Sequence, residues 1–243
     1  MREAIIRSIQ RFLKRRYNKQ IVEIRDPFRD MQRLLARSSV RNVIDGGGYH
    51  GDVALTLAAI FNQADIHSFE PSSRSFETLT SRVRGNPHIK PIRCGLSSAK
   101  KATTLYVNAQ DSTNSLSPVG EAGKRYQSWQ TANVGAEDVR LTTLDAWSSE
   151  NGVSDIAVIK LDLQGHELHA LKGAEQLLGS SVKLIYTEVE FVRVYKENCL
   201  MFELEAYLDS LGFNLFQLYN LTSGDDGQLV CGDAIFLHRQ RIK

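Results

Sequence analysis

The sequence predicts an α/β fold: a mostly parallel sheet with helices on both faces, closed at its C-terminal end by an antiparallel strand. Three observations carry that expectation. From Val40 onward, short apolar runs rich in Val and Ile alternate with amphipathic helical patterns, which is how a parallel sheet with crossover helices is written. The first run ends in a glycine-rich turn, Gly46-Gly47-Gly48-Tyr49-His50-Gly51, that leads into a helix. Near the end of the chain, Phe213–Leu218 and Ala234–Leu237 flank a Gly/Asp turn region and read as an antiparallel hairpin.

The stretch before the parallel pattern is basic and helical. Ile5, Ile6, Ile9, Phe12 and Leu13 recur at helical spacing in residues 1–19. Arg2, Arg7, Arg11, Lys14, Arg15, Arg16 and Lys19 supply the polar face against one acid, Glu3. Such a helix suits an anionic membrane surface, an acidic substrate or a partner protein, and it serves equally as a packed helix with a solvated face. Asp26-Pro27 is a helix start, with Asp as N-cap and Pro in the first turn. Phe28, Met31, Leu34 and Leu35 give that helix an apolar stripe to about Arg37, expected to cover the mouth of a ligand site or the sheet edge. Residues 1–39 thus form an N-terminal helical extension, and 40–243 the main domain.

In the main domain, strands are expected at 41–45, 65–70 and 89–94, with helices at 51–62 and 73–84. The alternation then breaks. Thr103–Val107 and Val139–Leu144 read as strands flanking an irregular, polar loop at 108–136. Long loops in compact domains are commonly functional. Its Ser112-Thr113-Asn114-Ser115 suits either ligand contact or turn chemistry. Ile156–Asp162 and Lys183–Glu190 resume the strands, a helix begins after Gly165, and another is expected at 200–211.

Composition bounds the rest. The 243 residues suffice for one sizeable core. Hydrophobic content of 42% and charged content of 24% are those of a soluble globular chain. No apolar run is long enough to span a bilayer, and no secretory signal pattern opens the sequence. Cys94, Cys199 and Cys231 are odd in number, far apart and without metal-ligand spacing, which fits reduced thiols in a cytoplasmic protein, with the basic helix leaving a peripheral membrane contact open. A net charge of +2 gives no general preference for polyanions, so no nucleic-acid partner is expected. A dimer is compatible with the sequence but not required by it.

Ligands of such sheets bind at the carboxyl ends of the strands. The glycine turn fits the dinucleotide-binding fingerprint Gly46-x-Gly48-x-x-Gly51. Asp45, directly before it, suits a cationic group and repels phosphate. Glu70-Pro71 ends the second strand at the spacing of a ribose contact. A ligand that is cationic, contains ribose and lacks phosphate describes S-adenosylmethionine better than NAD. With Asp162 and Glu188, four carboxylates converge on one cleft, an arrangement that calls for a positive group such as a sulfonium or a divalent metal. For methyl transfer to a hydroxyl, Asp162 is the first candidate for base or acceptor-orienting group, Glu188 the second, and His166 a third unless it simply faces solvent. His50 contacts cofactor or merely starts the helix. Asp162, Glu188 and His166 would also suit an oxygen-rich metal site, though their spacing requires none.

These motifs, Val43–Gly51, Phe69-Glu70-Pro71, Leu144-Asp145, Ile159-Lys160-Leu161-Asp162-Leu163-Gln164-Gly165-His166-Glu167 and the strand-end Glu188, resemble the FkbM-type methyltransferases of the class I S-adenosylmethionine-dependent superfamily. The resemblance covers roughly residues 40–240. It implies a Rossmann-like seven-stranded sheet and O-methylation of a hydroxyl on a sugar, glycan or natural product. It implies that Asp45, Gly46, Gly47, Gly48, Tyr49, His50 and Gly51 surround the methionine part, that Glu70 with Pro71 holds the ribose, and that Gly95, Leu96 and Ser97 lie by adenine. One departure stands out: Gln164 occupies a position where the family usually has Glu. Two other readings remain. A dinucleotide-dependent oxidoreductase would need a Tyr-x-x-x-Lys or His pair, and Tyr195-Lys196 are adjacent instead. A non-catalytic cofactor-binding module that recruits a glycan-assembly partner has Gln164 as its only support.

Overall fold

The computed structural model describes residues 2–17 and 25–242. Met1, Asn18 and Lys19 of the expected first helix lie outside them. The remainder of that helix is α1 (Arg2–Tyr17). No helix among the described residues is long and apolar enough to cross a membrane.

Seven strands form the main sheet: β1 (Asn42–Gly46), β2 (Asp65–Phe69), β3 (Ile89–Ile92), β7 (Ile156–Leu161), β8 (Leu184–Glu190), β9 (Phe213–Ser223) and β10 (Leu229–His238). Their order is β3-β2-β1-β7-β8-β10-β9. The first five run parallel, and β10 lies antiparallel between β8 and β9. The expected mostly parallel sheet with its C-terminal hairpin is therefore present. Strand order reverses between β1 and β7, which opens a crevice at their carboxyl ends.

Alternation along the strands builds two cores. Ile44, Ile159 and Ile185 point to one face, where α6 (Leu144–Asn151), α7 (Glu167–Lys172), α8 (Glu175–Ser180) and α9 (Met201–Ser210) pack. Val43, Val158 and Leu184 point to the other, beneath α2 (Pro27–Leu34), α3 (Asp52–Ile60) and α4 (Ser73–Val83). Strands buried on both faces read as continuous apolar runs, and all six residues of β7 are buried.

Helix α2 starts as its sequence requires, with Asp26 Oδ1 accepting from the Phe28 and Arg29 amides at 2.9 and 3.4 Å. Of the two expected positions it does not line the cleft. It lies on the sheet face and reaches the edge strand β9, with Met31 and Leu35 in the same core as Leu57, Val158 and Tyr219. The Tyr219 hydroxyl of β9 donates to its buried Asp30 at 2.8 Å. An apolar stripe shows that a helix is buried, not against which face.

The break in the alternation is a second sheet. Its strands β4 (Gly95–Leu96), β5 (Lys101–Asn108) and β6 (Asn133–Thr142) run in the order β4-β6-β5. The expected strand 89–94 is accordingly split, since the chain leaves the main sheet after Ile92 and enters the small one at Gly95. The 108–136 stretch is no structureless loop: it holds a 3-10 turn (Asp111–Thr113), α5 (Glu121–Tyr126) and the start of β6. That start alternates exposed and half-buried residues (Asn133, Val134, Gly135, Ala136), so it lacks an apolar signal. Leu144 belongs to α6 rather than to a strand, because Thr143 Oγ1 accepts from the Ala146 amide at 3.1 Å and caps the helix.

Candidate active site

The glycine turn closes by strict steric requirement. Gly47 has φ +75°, and a Cβ there would come within 1.9 Å of the Asp162 carbonyl oxygen. Gly51, at φ +89°, would press a Cβ on Leu79 at 2.9 Å. Only glycine reconciles that backbone with that proximity. Four of the turn's own amides are already engaged. Gly47 and Gly48 donate to the Phe69 carbonyl at 3.0 and 2.9 Å, Tyr49 donates to Glu70 Oε2 at 2.9 Å, and Gly51 donates to Gly48. A pyrophosphate cradle needs such amides free. This turn does not offer them.

Asp45 is fully buried. Ser68 Oγ donates to its Oδ2 at 2.7 Å, and Lys160 Nζ lies 3.2 Å from Oδ1. The buried Lys160 ammonium also donates to the carbonyls of Gly46 and Gly47, at 3.1 and 2.9 Å. The expected cation opposite Asp45 is therefore a side chain of the protein itself, and the carboxylate reaches the turn through Lys160 instead of the cleft. Lysine at a mid-strand position carries no pattern of its own, so periodicity passes over it.

The cleft follows the crevice between β1 and β7 and, counted with its open mouth, spans about 890 Å³. Gly47, Gly48, Tyr49, Glu70, Pro71, Gly95 and Leu96 line it, together with Lys160, Asp162 and Gln164. Leu105, Asp111, Ser112, Asn114 and Leu116 of the insertion wall it off. Of the polar cluster in that insertion, Ser112 and Asn114 reach the cleft. Thr113 Oγ1 donates inward to backbone carbonyls, and Ser115 Oγ donates to the Gln164 carbonyl at 2.7 Å. Glu70 is buried, its oxygens accepting from the Tyr49 and Ser72 amides, each at 2.9 Å. Burial pushes its carboxyl up to about 7 despite those bonds.

At the far end, Gln164 ties the catalytic candidates together. Its backbone is left-handed, φ +53°, which is rare for a residue with a side chain. Its amide nitrogen donates to Asp162 Oδ1 at 2.8 Å and to Glu188 Oε2 at 3.1 Å. The Tyr195 hydroxyl, 2.8 Å from Gln164 Oε1, fixes the amide the other way. Burial, then Asp162, raises the Glu188 carboxyl well above the usual carboxylate range. Asp162 is the exposed member of the pair. Glu167 lies behind them and braces the 163–167 turn, accepting from the Leu163 amide at 2.6 Å. Asp145 is likewise a brace, capping α8 through the Gln176 and Leu177 amides.

Of the sequence candidates, Asp45, Gly46, His50, Gly51, Ser97, His166 and Glu188 lie outside the cleft lining. His50 stacks on Tyr49, with ring centroids 3.7 Å apart. His166 Nε2 sits 3.0 Å from Ser97 Oγ, and the ring stacks on His169. Burial, with His169 and Lys101 nearby, depresses it to about 3, so it stays neutral and does not titrate near neutral pH as the sequence suggested. Among the described residues, no group of three or more His, Cys, Asp or Glu is arranged to hold a metal ion.

Several known proteins resemble the chain. Residues 45–215 match the family model described as the methyltransferase FkbM domain. Methyltransferase sdnD of Sordaria araneosa is 24% identical over 195 residues, 71% of this chain and 73% of that protein. Hexuronic acid methyltransferase AglP of Haloferax volcanii is 28% identical over 128 residues, 52% of this chain and 48% of its own length. The crystal structure of methyltransferase FkbM from Methylobacillus flagellatus KT superposes with a TM-score of 0.51 at 15% identity, covering 88% of this chain and 48% of that one. The chain thus spans about half the length of these last two proteins, and the superposition is a likeness of fold.

The buried carboxyls make stability depend on pH. Glu70 and Glu167 are each pushed up from 4.5 to about 7, and Glu190, with Oε2 unpartnered, to about 9. A carboxyl raised in the folded state binds its proton more tightly there than when unfolded. Its stabilisation is complete below pH 4.5 and is lost as pH rises through 7 toward 9. Melting temperature should therefore fall over that range, and Glu190→Gln should flatten the alkaline part of the fall. An unchanged slope in the variant would show that Glu190 is not the group being ionised.

Proposed function

Because this chain belongs to the FkbM family of class I S-adenosylmethionine-dependent methyltransferases, we propose that it methylates a hydroxyl of a sugar, glycan or natural product, with S-adenosylmethionine bound in the β1–β7 cleft. The observation that carries the cofactor assignment is the pairing of a buried carboxylate, Glu70, with a glycine turn whose amides are already engaged. Each Glu70 oxygen accepts one backbone bond, which leaves acceptor capacity for ribose hydroxyls. Leu96, Leu105, Leu116 and Leu163 supply apolar surface for a flat base. When bound, the sulfonium supplies an already activated methyl group.

The chain's own residues then need only hold the acceptor oxygen in line, exclude water and take a proton. Asp162 is suited to accept the hydroxyl proton. Glu188, raised well above the usual carboxylate range by burial and outside the lining, is suited to hold the Gln164 amide in place. Gln164 keeps the two apart and aimed. In place of the family's usual Glu, it offers a donor to two acids that a third carboxylate would repel. The relative AglP is named for a hexuronic acid, which offers both hydroxyl and carboxylate oxygens. A carboxyl group, Asp162, at the reacting end favours the hydroxyl over a second carboxylate. Asp111, Ser112 and Asn114 of the insertion are the groups placed to select the acceptor.

Calorimetric titration with S-adenosylhomocysteine tests the cofactor. We expect micromolar affinity, about −8 kcal/mol, that Glu70→Ala abolishes. No binding by the wild type would overturn the assignment. Asp162→Asn should retain that binding while lowering methyl incorporation into a panel of sugars by about 10²- to 10⁴-fold. Equal turnover by the variant would remove Asp162 from the chemistry. Gln164→Glu should also retain cofactor binding but move the acid limb of the rate profile to higher pH, because it adds negative charge beside the base. An unmoved limb would mean that Gln164 does not act on the acid pair.

A further inference from the structure

Helix α1 carries its apolar side chains into solvent. Ile5, Ile6, Ile9, Phe12 and Tyr17 are 54, 41, 44, 60 and 59% exposed. At 100° per residue they fall on one side of the helix, with Leu13 among them. Arg7, Arg11, Lys14 and Arg15 occupy the opposite side and are exposed as well. Six of the chain's 30 Lys and Arg residues lie in these sixteen positions against one acid, Glu3, although the whole chain carries only +2.

We propose that α1 is a docking helix for the surface of an anionic lipid bilayer. Each side of the helix has a counterpart there. The isoleucines and Phe12 enter the acyl boundary, and the guanidinium and ammonium groups reach the negative headgroups. Arg16 falls within the apolar side, between Ile5 and Ile9, and its long stem can lie along that surface while its charge extends to the headgroups. Tyr17 has the amphipathic ring that suits the interface. A nucleic acid would use the basic side and leave four large apolar residues in water. A protein groove would take the apolar side and leave the basic excess without a role. The bilayer uses both at once. This inference does not depend on the reaction assigned to the cleft.

Sedimentation of the full chain with vesicles tests it. The probe is about three parts phosphatidylcholine to one part phosphatidylglycerol, beside pure phosphatidylcholine. We expect binding to the anionic vesicles at least about tenfold tighter, weakened by salt. Arg11→Glu with Lys14→Glu, and separately Ile9→Ser with Phe12→Ser, should each lose it about tenfold or more, while thermal melts match the wild type and show an intact fold. Absence of wild-type binding would overturn the proposal. So would loss on charge reversal alone, which would mark a polyanion site open to RNA. A self-associating chain dispersed by the serine pair, with no vesicle binding, would overturn it in favour of a protein contact.

Discussion

A buried ion pair holds the glycine turn in place. Lys160 lies in the middle of the sheet with its ammonium bonded to two turn carbonyls and set against Asp45, itself fixed by Ser68. Leaving one member of such a pair uncompensated costs about 3–5 kcal/mol. The pair therefore tolerates little movement. Phe69 holds the same turn from β2 through its carbonyl, and Gly46 accepts the Asp162 amide from the end of β7. Three neighbouring strands thus meet at one turn, and Glu70 and Asp162, two of the acids that line the cleft, follow directly from two of them.

What the sequence discloses depends on how local the cause is. The parallel strands are legible because burial on both faces forces continuous apolar runs, as in Ile156–Leu161. The glycine turn, the Asp26 cap and the closing hairpin are legible because steric and hydrogen-bond rules act within a few residues. Lys160 is not, since its partner lies 115 positions away and its own strand reads as apolar. The small sheet is legible only in part, because the first half of β6 is solvated and carries no period. The three acids Glu70, Asp162 and Glu188 are legible from their places at or near strand ends and from the family motifs, although β8 continues past Glu188 to Glu190. Their separate environments, a buried carboxyl held by two backbone amides, an exposed acid and a neighbour that burial pushes up, come only from the assembled fold.

The insertion between β4 and α6 divides the labour of the molecule. It contributes Leu105, Asp111, Ser112, Asn114 and Leu116 to the cleft and nothing to the main sheet. Its anchors to the body include the Ser115 and Tyr195 hydroxyls, which meet at Gln164 and the Thr113 carbonyl. The wall on this side of the cleft can therefore change in sequence while the two cores beneath remain as they are. The left-handed Gln164 is the joint at which that variable wall meets the fixed acids.

The occupied amides of Gly47, Gly48 and Tyr49 have a consequence in a crowded cell. Adenosine triphosphate and the nicotinamide dinucleotides carry an adenosine half that would suit Glu70 and the apolar slot, and they are abundant. Their phosphates would meet Gly47, Gly48 and Tyr49 amides that are already committed, and an acid, Asp162, in the same lining. A ligand of this cleft must therefore draw its hydrogen bonds from groups other than those three amides.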